Sequence, residues 1–390
     1  MAKKAGLKKA AKIRIGVLYG GRSGEHDVSL CSAASVFSAL DRNKYEVTAI
    51  GIDRDGRWYV QDKPQIIPDK DFGRKLALKK NGMWLVNHFE QKNKLHLYDL
   101  KNTNKEVIVD VVIPVLHGTL GEDGTLQGLL ELAMVPYVGA DVTGSAVGMD
   151  KDIAKRLLNQ AGIPVVPSVT VSKQRWQDDS IFITQGALTK LGLPLFVKPV
   201  CAGSSVGVKK VKKKEMLAKA MNFAFQFDTR VMIEKAVDCR EIECAVLGNE
   251  NPIASVLGEI IPSHEFYSYE AKYIDPNGAA LKIPAKIGKP LADKIRKNAL
   301  EGYMALCCSS MARVDFFLDK KINKFYLNEI NTIPGFTSIS MYPKLWEATG
   351  LKYSDLLDKL VALALDRHKK KVEIKTENLV PMRCPIRKKI

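Results

Sequence analysis

The stretch ARVDFFLDKKINKFYLNEIN (312–331) places charged and amide side chains at regular intervals within otherwise apolar runs. Two apolar-rich segments, 312–318 and 324–330, flank a polar Lys/Asn stretch, which is the pattern of a β-hairpin. Side chains alternate along a strand, so Arg313 and Asp315 share one face, as do Glu329 and Asn331. With the turn centred near Ile322, Asp315 lies across from Glu329 and Arg313 across from Asn331. Like charges directly opposed destabilise a sheet unless something positive lies between them. A divalent cation would fill that role. Two carboxylates and an amide oxygen are hard oxygen donors suited to Mg²⁺, which completes its octahedron with water and phosphate. The alternative is a pair of solvated acids on an exposed sheet face. Just beyond the hairpin the strand stops at Pro334-Gly335.

Other stretches carry further chemistry. VKPVCAGSSVG (197–207) is a Gly/Ser loop between two strand-like runs. Its backbone N–H groups and the hydroxyls of Ser204 and Ser205 can surround phosphate oxygens, with Lys198 adding positive charge. It is neither a Walker P-loop nor a Rossmann fingerprint, and an ordinary hairpin turn is the other reading. IEKAV followed by REIECAV puts Glu234 near one strand end and Glu241 near the next strand's start. These acids suit an adenine amino group or ribose hydroxyls, or else they balance Lys235 and Arg240 at the surface. HGTLGEDGTLQGLLE (117–131) follows the nearly all-apolar run 107–116, and GGRSGEHDVS follows the first strand-like run. In open α/β sheets ligands bind beyond the carboxyl ends of strands, so His117 and both polar loops sit at a plausible site. SYEAKYI (268–274) reads as a lid or a surface loop.

These stretches need scaffolding. Strand-like runs at 12–20 and 45–51 alternate with a helical pattern at 29–40, and 107–116 reads as one central strand buried on both faces. Together they predict a small α/β domain with a parallel sheet. Helical patterns follow at 150–161, with Gly162 and Pro164 beyond as stop signals, and near 215–227, 290–309 and 353–365. A run of strands occupies the segments RVMIEKAV, REIECAVLG and IASVLGEII. Length and pattern predict three domains, with boundaries near 140–150 and 235–240.

The formal charge of +17 sits mainly at the ends: residues 1–14 and 367–390 supply +13 of it, and a local run at 209–215 supplies most of the remainder. Terminal charge runs are ordinarily solvated arms. No basic stripe interleaved with aromatics is present for stacking on single strands, so nucleic acid is not an expected partner. Only the tails speak for a nucleic-acid-binding protein. No apolar run approaches a membrane span. Seven cysteines without zinc-type spacing fit free thiols in a reducing cytosol.

In order along the chain, GGRSGEHDVSL, HGTLGEDGTLQGLLEL, MDKDIAK, VKPVCAGSSVGV, YEAKY, ARVDF and NEINTIPGFTS resemble the motifs of the D-alanine–D-alanine ligase family, within the ATP-grasp superfamily. The resemblance runs from about residue 13 to 365 and leaves only the basic tails outside. It implies an α/β and α+β, three-domain ATP-grasp architecture with an N-terminal parallel-sheet domain. The expected partition is a disordered arm at 1–12, a first-D-alanine domain at 13–145, a central subdomain with a phosphate lid at 146–237, a C-terminal subdomain at 238–365 and a basic tail at 366–390. It further implies ATP-dependent ligation of two D-alanines through D-alanyl phosphate for peptidoglycan precursors, in a cytoplasmic homodimer.

By motif, the resemblance assigns Lys151, Lys198 and Ser205 to ATP phosphates, Glu234, Lys235 and Val237 to adenine, and Glu241 to ribose. Asp315, Glu329 and Asn331 would hold two Mg²⁺ ions, for which Mn²⁺ can substitute. Glu25 would anchor the first D-alanine's ammonium, with His117 near its carboxylate, and Glu25, Ser204 and Tyr273 would close the site as a hydrogen-bonded trio. Lys272 and Ser340 would receive the second D-alanine's carboxylate. Arg313 and the Gly335 N–H would form the oxyanion hole. Ala236 departs from the aromatic residue that often packs near adenine in this family, so an altered nucleotide affinity is expected. Cys201, beside the lid, raises the expectation that its oxidation jams that lid. A ligase accepting D-lactate is the nearest alternative, and the EAKY stretch argues against it.

Overall fold

In the structure, a computed structural model, residues 11–71, 73–81, 84–87, 93–262, 279–337 and 339–375 are described. The first apolar run becomes β1 (Ile13–Gly20), buried from Ile15 onward. Burial on both faces follows from its neighbours: β2 (Tyr45–Ile52) and β9 (Val111–Val115) both pair with it in parallel. β3 (Trp58–Gln61) adds an antiparallel edge, giving the order β3-β2-β1-β9. The helix α1 (His26–Ala39) crosses between β1 and β2, so the GGRSGEHDVS loop opens at the carboxyl end of β1.

The single strand expected at 107–116 is two strands. β8 (Asn102–Val109) belongs to a three-stranded antiparallel sheet with β6 (Trp84–Asn87) and β7 (Leu95–Asp99), while β9 belongs to the parallel sheet. Asp110 divides them. Its carboxylate accepts the Arg14 backbone N–H at 2.9 Å and the guanidinium at 3.0 and 2.6 Å, which fixes a bend inside the apolar run. A small ribbon, β4 (Ile66–Asp69) with β5 (Gly73–Leu76), packs nearby against α1. After β9 come α2 (Thr125–Leu132) and α3 (Val142–Met149), both too short for periodicity to reveal. α4 (Lys151–Gln160) starts where Asp150 caps it, accepting the N–H groups of Asp152 at 3.1 Å and Ile153 at 3.0 Å.

The middle of the chain forms a four-stranded sheet ordered β10-β13-β11-β12: β10 (Ser168–Ser172), β13 (Arg230–Lys235), β11 (Leu195–Pro199) and β12 (Lys209–Val211). The helices α5 (Lys173–Asp178), α6 (Ser180–Leu191) and α7 (Met216–Ala224) pack on it around Trp176, Ile183, Leu195 and Met221. The last part is a five-stranded antiparallel sheet ordered β16-β15-β14-β17-β18: β14 (Cys239–Leu247), β15 (Ile253–Pro262), β16 (Ala279–Lys282), β17 (Met311–Asp319) and β18 (Phe325–Asn331). The helix α8 (Lys289–Ala305) covers one face through Ile295, Ala299 and Tyr303, and Ala154 and Leu158 of α4 join that same core.

The closing helices α9 (Met341–Ala348) and α10 (Tyr353–Val372) tie the ends together. One apolar cluster contains Ile15, Val17 and Ala33 of the first unit together with Leu247, Met311, Trp346 and Leu360 of the last. α10 runs past residue 365, so part of the expected basic tail is ordered helix. Its buried stripe of Leu356, Leu357, Leu360, Val361 and Ala364 carries Arg367 onto the first unit. There Arg367 donates to the Tyr137 carbonyl at 2.8 Å, to the Gly139 carbonyl and to Ser309 Oγ at 2.6 Å, and its guanidinium lies 4.6 Å over the Tyr137 ring. Among the described residues no helix is long and apolar enough to cross a membrane.

Candidate active site

The hairpin register is the expected one, with Asp315 opposite Glu329 and Arg313 opposite Asn331, and a bulge follows Asp315. On the other side of β17, Glu243 of β14 also opposes Asp315. Three carboxylates therefore lie in one cross-strand row. Arg313 Nε donates to Asp315 Oδ1 at 2.8 Å and lies 3.0 Å from Glu243 Oε2, while Nη2 donates to Asp315 Oδ2 at 2.7 Å. Asn331 Nδ2 donates to Asp315 Oδ2 at 2.9 Å. Burial opposes the Arg313 charge, but Asp315 and Glu243 hold its pKa well above the ordinary value. Sequence reading passed over Glu243. The signal was there in REIEC, where alternation puts Glu241 and Glu243 on one face.

Among the described residues no group of three His, Cys, Asp or Glu side chains converges to hold a metal. Mg²⁺ does not need such a group, because it binds through one or two carboxylates and takes other oxygens from water and phosphate. Asp315, Glu329 and Asn331 fit that demand. Arg313 lies against the acidic row of Glu243, Asp315 and Glu329.

At the other wall, Glu25 precedes α1 and is buried. Ser204 of the Gly/Ser loop donates to its Oε1. A Cβ on Gly203 would lie 2.7 Å from Glu25 Oε2 and one on Gly118, 2.6 Å, so two glycine backbones close on this carboxylate from different loops. Ser204 and Ser205 both have left-handed φ, +48° and +60°, a strained backbone of the kind found at ligand clamps. Tyr273 and Lys272, the other residues expected here, lie outside the described residues.

His117 is buried with both ring nitrogens engaged. Nδ1 faces the Ile333 carbonyl at 3.1 Å and so carries the proton. Nε2 then accepts from Ser32 Oγ at 3.1 Å, and that oxygen accepts the Phe336 N–H at 3.3 Å. Burial lowers the His117 pKa, in keeping with the neutral ring this network requires. In this arrangement His117 ties the first unit to the 333–336 loop and turns no unengaged N–H toward a substrate carboxylate. In that loop, Gly335 approaches Ser340 so closely that a Cβ would sit 2.8 Å from its Oγ. Ser340 Oγ in turn accepts the Thr337 N–H at 3.0 Å.

Glu122 is a further site residue that sequence reading passed over, although GED lies within the quoted loop motif. Its carboxylate accepts the N–H groups of Gly118 at 2.7 Å and Ile333 at 3.3 Å. Burial, with Glu25 nearby, pushes its pKa up to about 8. A raised carboxyl favours folding while protonated, so this contribution is lost as pH rises from the ordinary carboxylate range through about 8. Wild type should therefore lose thermal stability relative to Glu122→Gln across that window. Parallel melting curves from pH 5 to 9 would refute the bound proton.

On the side where a nucleotide is expected, Glu234 is 1% exposed. Its Oε1 lies 2.5 Å from Lys198 Nζ and its Oε2 lies 2.6 Å from Lys155 Nζ. Both oxygens are thus taken by lysines, and the expected contact from this side chain to an adenine amino group is not the one the geometry favours. Lys151 Nζ donates to the Ala202 carbonyl at 2.6 Å, holding the base of the Gly/Ser loop. At the end of β13 Lys235 is exposed, just beyond it Val237 is half-buried, and the Lys235 and Ala236 N–H groups bond to the Pro167 and Pro194 carbonyls. Glu241 follows near the start of β14. Cys201 is held beside Asp150 and Arg230, and burial pushes its thiol up to about 11. Thiolates are the reactive form, so this shift works against the oxidation of Cys201 expected to jam the lid.

Comparison with known proteins bears on this constellation. The chain matches two family descriptions, "D-ala D-ala ligase N-terminus" over residues 14–140 and "D-ala D-ala ligase C-terminus" over residues 157–362. It is 47% identical over 365 residues to D-alanine–D-alanine ligase A of Escherichia coli K12, covering 94% of this chain and 99% of that one. Among solved structures it resembles the D-alanine-D-alanine ligase from Coxiella burnetii, with a TM-score of 0.78 and 40% identity over 93% of this chain and 96% of that one. The VanG D-Ala:D-Ser ligase from Enterococcus faecalis aligns with a TM-score of 0.76 and 36% identity, covering 91% of this chain and all of that one. The chain belongs to the D-alanine–D-alanine ligase family.

Proposed function

We propose that this chain joins two D-alanines to D-alanyl-D-alanine, using ATP and passing through D-alanyl phosphate, to supply peptidoglycan precursors. The observation that carries this reading is the hydrogen bond from Ser204 to Glu25. It joins a loop built for phosphates to a buried carboxylate suited to an ammonium, so that nucleotide and amino acid share one cleft.

A carboxylate is a poor electrophile. In the first step an oxygen of the first D-alanine attacks the γ-phosphorus, the bond to the β-phosphate oxygen breaks and ADP departs. Lys151 and Lys198 offset the charge on the phosphates, with Ser205 in the same loop. Mg²⁺, or Mn²⁺ in its place, held by Asp315, Glu329 and Asn331, would neutralise charge on the transferring group. Lys235 and Val237 frame adenine and Glu241 takes the ribose. Glu25 fixes the first ammonium, and Tyr273 with Ser204 closes over it.

In the second step the amine of the other D-alanine attacks the acyl carbon. Arg313 and the Gly335 N–H receive the oxyanion. The intermediate then collapses, the carbon–oxygen bond to phosphate breaks, and the amine proton passes to solvent. Lys272 and Ser340 orient the second carboxylate. Arg313 is permanently charged and forked, which suits it to span an acyl phosphate.

The test is D-alanine-dependent phosphate release with ATP and Mg²⁺, with the product identified by mass. D-alanyl-D-alanine should be the main species, and D-lactate should not replace the second D-alanine at neutral pH. A mixed D-Ala-D-lactate or D-Ala-D-serine dipeptide or ester as the main product would overturn the proposed specificity. A cytoplasmic homodimer is the accompanying proposal, and it rests on the family resemblance.

A further inference from the structure

Lys155 has no role in the reaction described above, although it is buried within the nucleotide side of the cleft. Its neighbours are polar. Nζ lies 2.6 Å from Glu234 Oε2 and 3.5 Å from the Val166 carbonyl. The other oxygen of Glu234 lies 2.5 Å from Lys198 Nζ. The side chains of Lys155, Glu234 and Lys198 are 6%, 1% and 11% exposed, so water screens this trio little.

Charge counting gives the trio its meaning. One carboxylate neutralises one ammonium, so Glu234 alone with Lys198 would leave no net charge facing the phosphates. With Lys155 present the group keeps one surplus positive charge. Lys155 also follows Lys151 by one helical turn, near the start of α4, where the helix dipole adds to the positive field. The loop after α4 is bonded to β18, with the Leu327 N–H on the Pro164 carbonyl at 2.8 Å. The trio is thereby tied to the strand that carries Glu329.

We propose that Lys155 is a positioning residue for the nucleotide: it neutralises Glu234, so that the Lys198 ammonium keeps its charge for a polyphosphate. The role deepens the ligase reading and rests on it only for the identity of the nucleotide. Affinity for ATP should follow the net charge of the trio and not its number of lysines.

The experiment compares wild type, Lys155→Met, Lys198→Met and the double variant Lys155→Met/Glu234→Gln. ATP and ADP binding are measured by calorimetry, alongside kcat and the KM for ATP and for D-alanine. Lys155→Met should weaken ATP binding and raise its KM by roughly 10-fold or more, the scale of one charge-assisted contact. The KM for D-alanine at saturating ATP should hold. The double variant restores the surplus charge and should recover ATP affinity to within a few-fold of wild type, which a merely structural role would not produce. A double variant as weak as Lys155→Met overturns the proposal. If Lys155→Met does not fold, a double variant as weak as Lys198→Met overturns it equally. Wild type that binds ATP but releases no phosphate with D-alanine would instead refute the ligase reading and leave the charge rule standing.

Discussion

Replacing Arg313 by lysine is expected to lower kcat by roughly 10²–10³-fold, the loss typical of one oxyanion donor, with the fold intact. The charge is retained, so Asp315 and Glu243 still face a cation. The geometry is not retained. The planar fork of Arg313 is bidentate on Asp315, through Nε at 2.8 Å and Nη2 at 2.7 Å, while Nε also lies 3.0 Å from Glu243. A single ammonium on a flexible stem cannot hold both acids and also aim a second donor at the acyl oxygen. Methionine would be a poorer test, because it strips the acidic row of its guanidinium and mixes folding with catalysis. The measurement is phosphate release at saturating ATP and D-alanine, with thermal unfolding as the control. A wild-type kcat in Arg313→Lys would remove Arg313 from the oxyanion hole.

Glu329→Gln should cost activity far more than stability. In the ligand-free protein Glu329 opposes Asp315 across the hairpin, and directly opposed like charges are unfavourable. Glutamine keeps the shape and removes that repulsion together with the attraction of Glu329 to Arg313 and Lys155, so the melting temperature should change little. The same change removes a hard anionic donor from the proposed Mg²⁺ site. Even partners one step removed from a metal typically matter by 10–100-fold, so the loss at limiting Mg²⁺ should reach at least roughly 10²-fold. Raising Mg²⁺ should recover part of it. A variant fully active at limiting Mg²⁺ would refute the metal assignment.

Much of this site was legible because strands repeat every two residues. Alternation with a turn centred near Ile322 paired Asp315 with Glu329, and the structure has that register. The bulge, where Asn328 is the extra residue between Leu327 and Glu329, left no mark in the alternation. Glu243 was visible as a polar residue in an apolar strand but had no local partner to explain it; Arg313 arrives from far along the chain. Lys155 is the sharper case. A lysine on an amphipathic helix ordinarily faces water, and only the arrival of Glu234 from another strand makes its burial tolerable. Asp110 hid in a run of valines and isoleucines, because a strand break fixed by a side chain depends on Arg14 being opposite. The helical ends at α4 were readable from Asp150 and Gly162, whereas the reach of α10 was not, because its last turns look like the solvated charge that follows them.

The apolar cluster that runs from Ile15 and Val17 through Met311 to Trp346 and Leu360 makes the first and last units one cooperative body. Arg367, clamped on the carbonyls of Tyr137 and Gly139, fastens the same seam from outside. The middle sheet has its own separate core. Any change in the width of the cleft is therefore expected to shift the middle sheet against a single body that carries both Glu25 and Arg313. On the proposed assignment, the residues meant for the two D-alanines would then keep their spacing while the Gly/Ser loop moves.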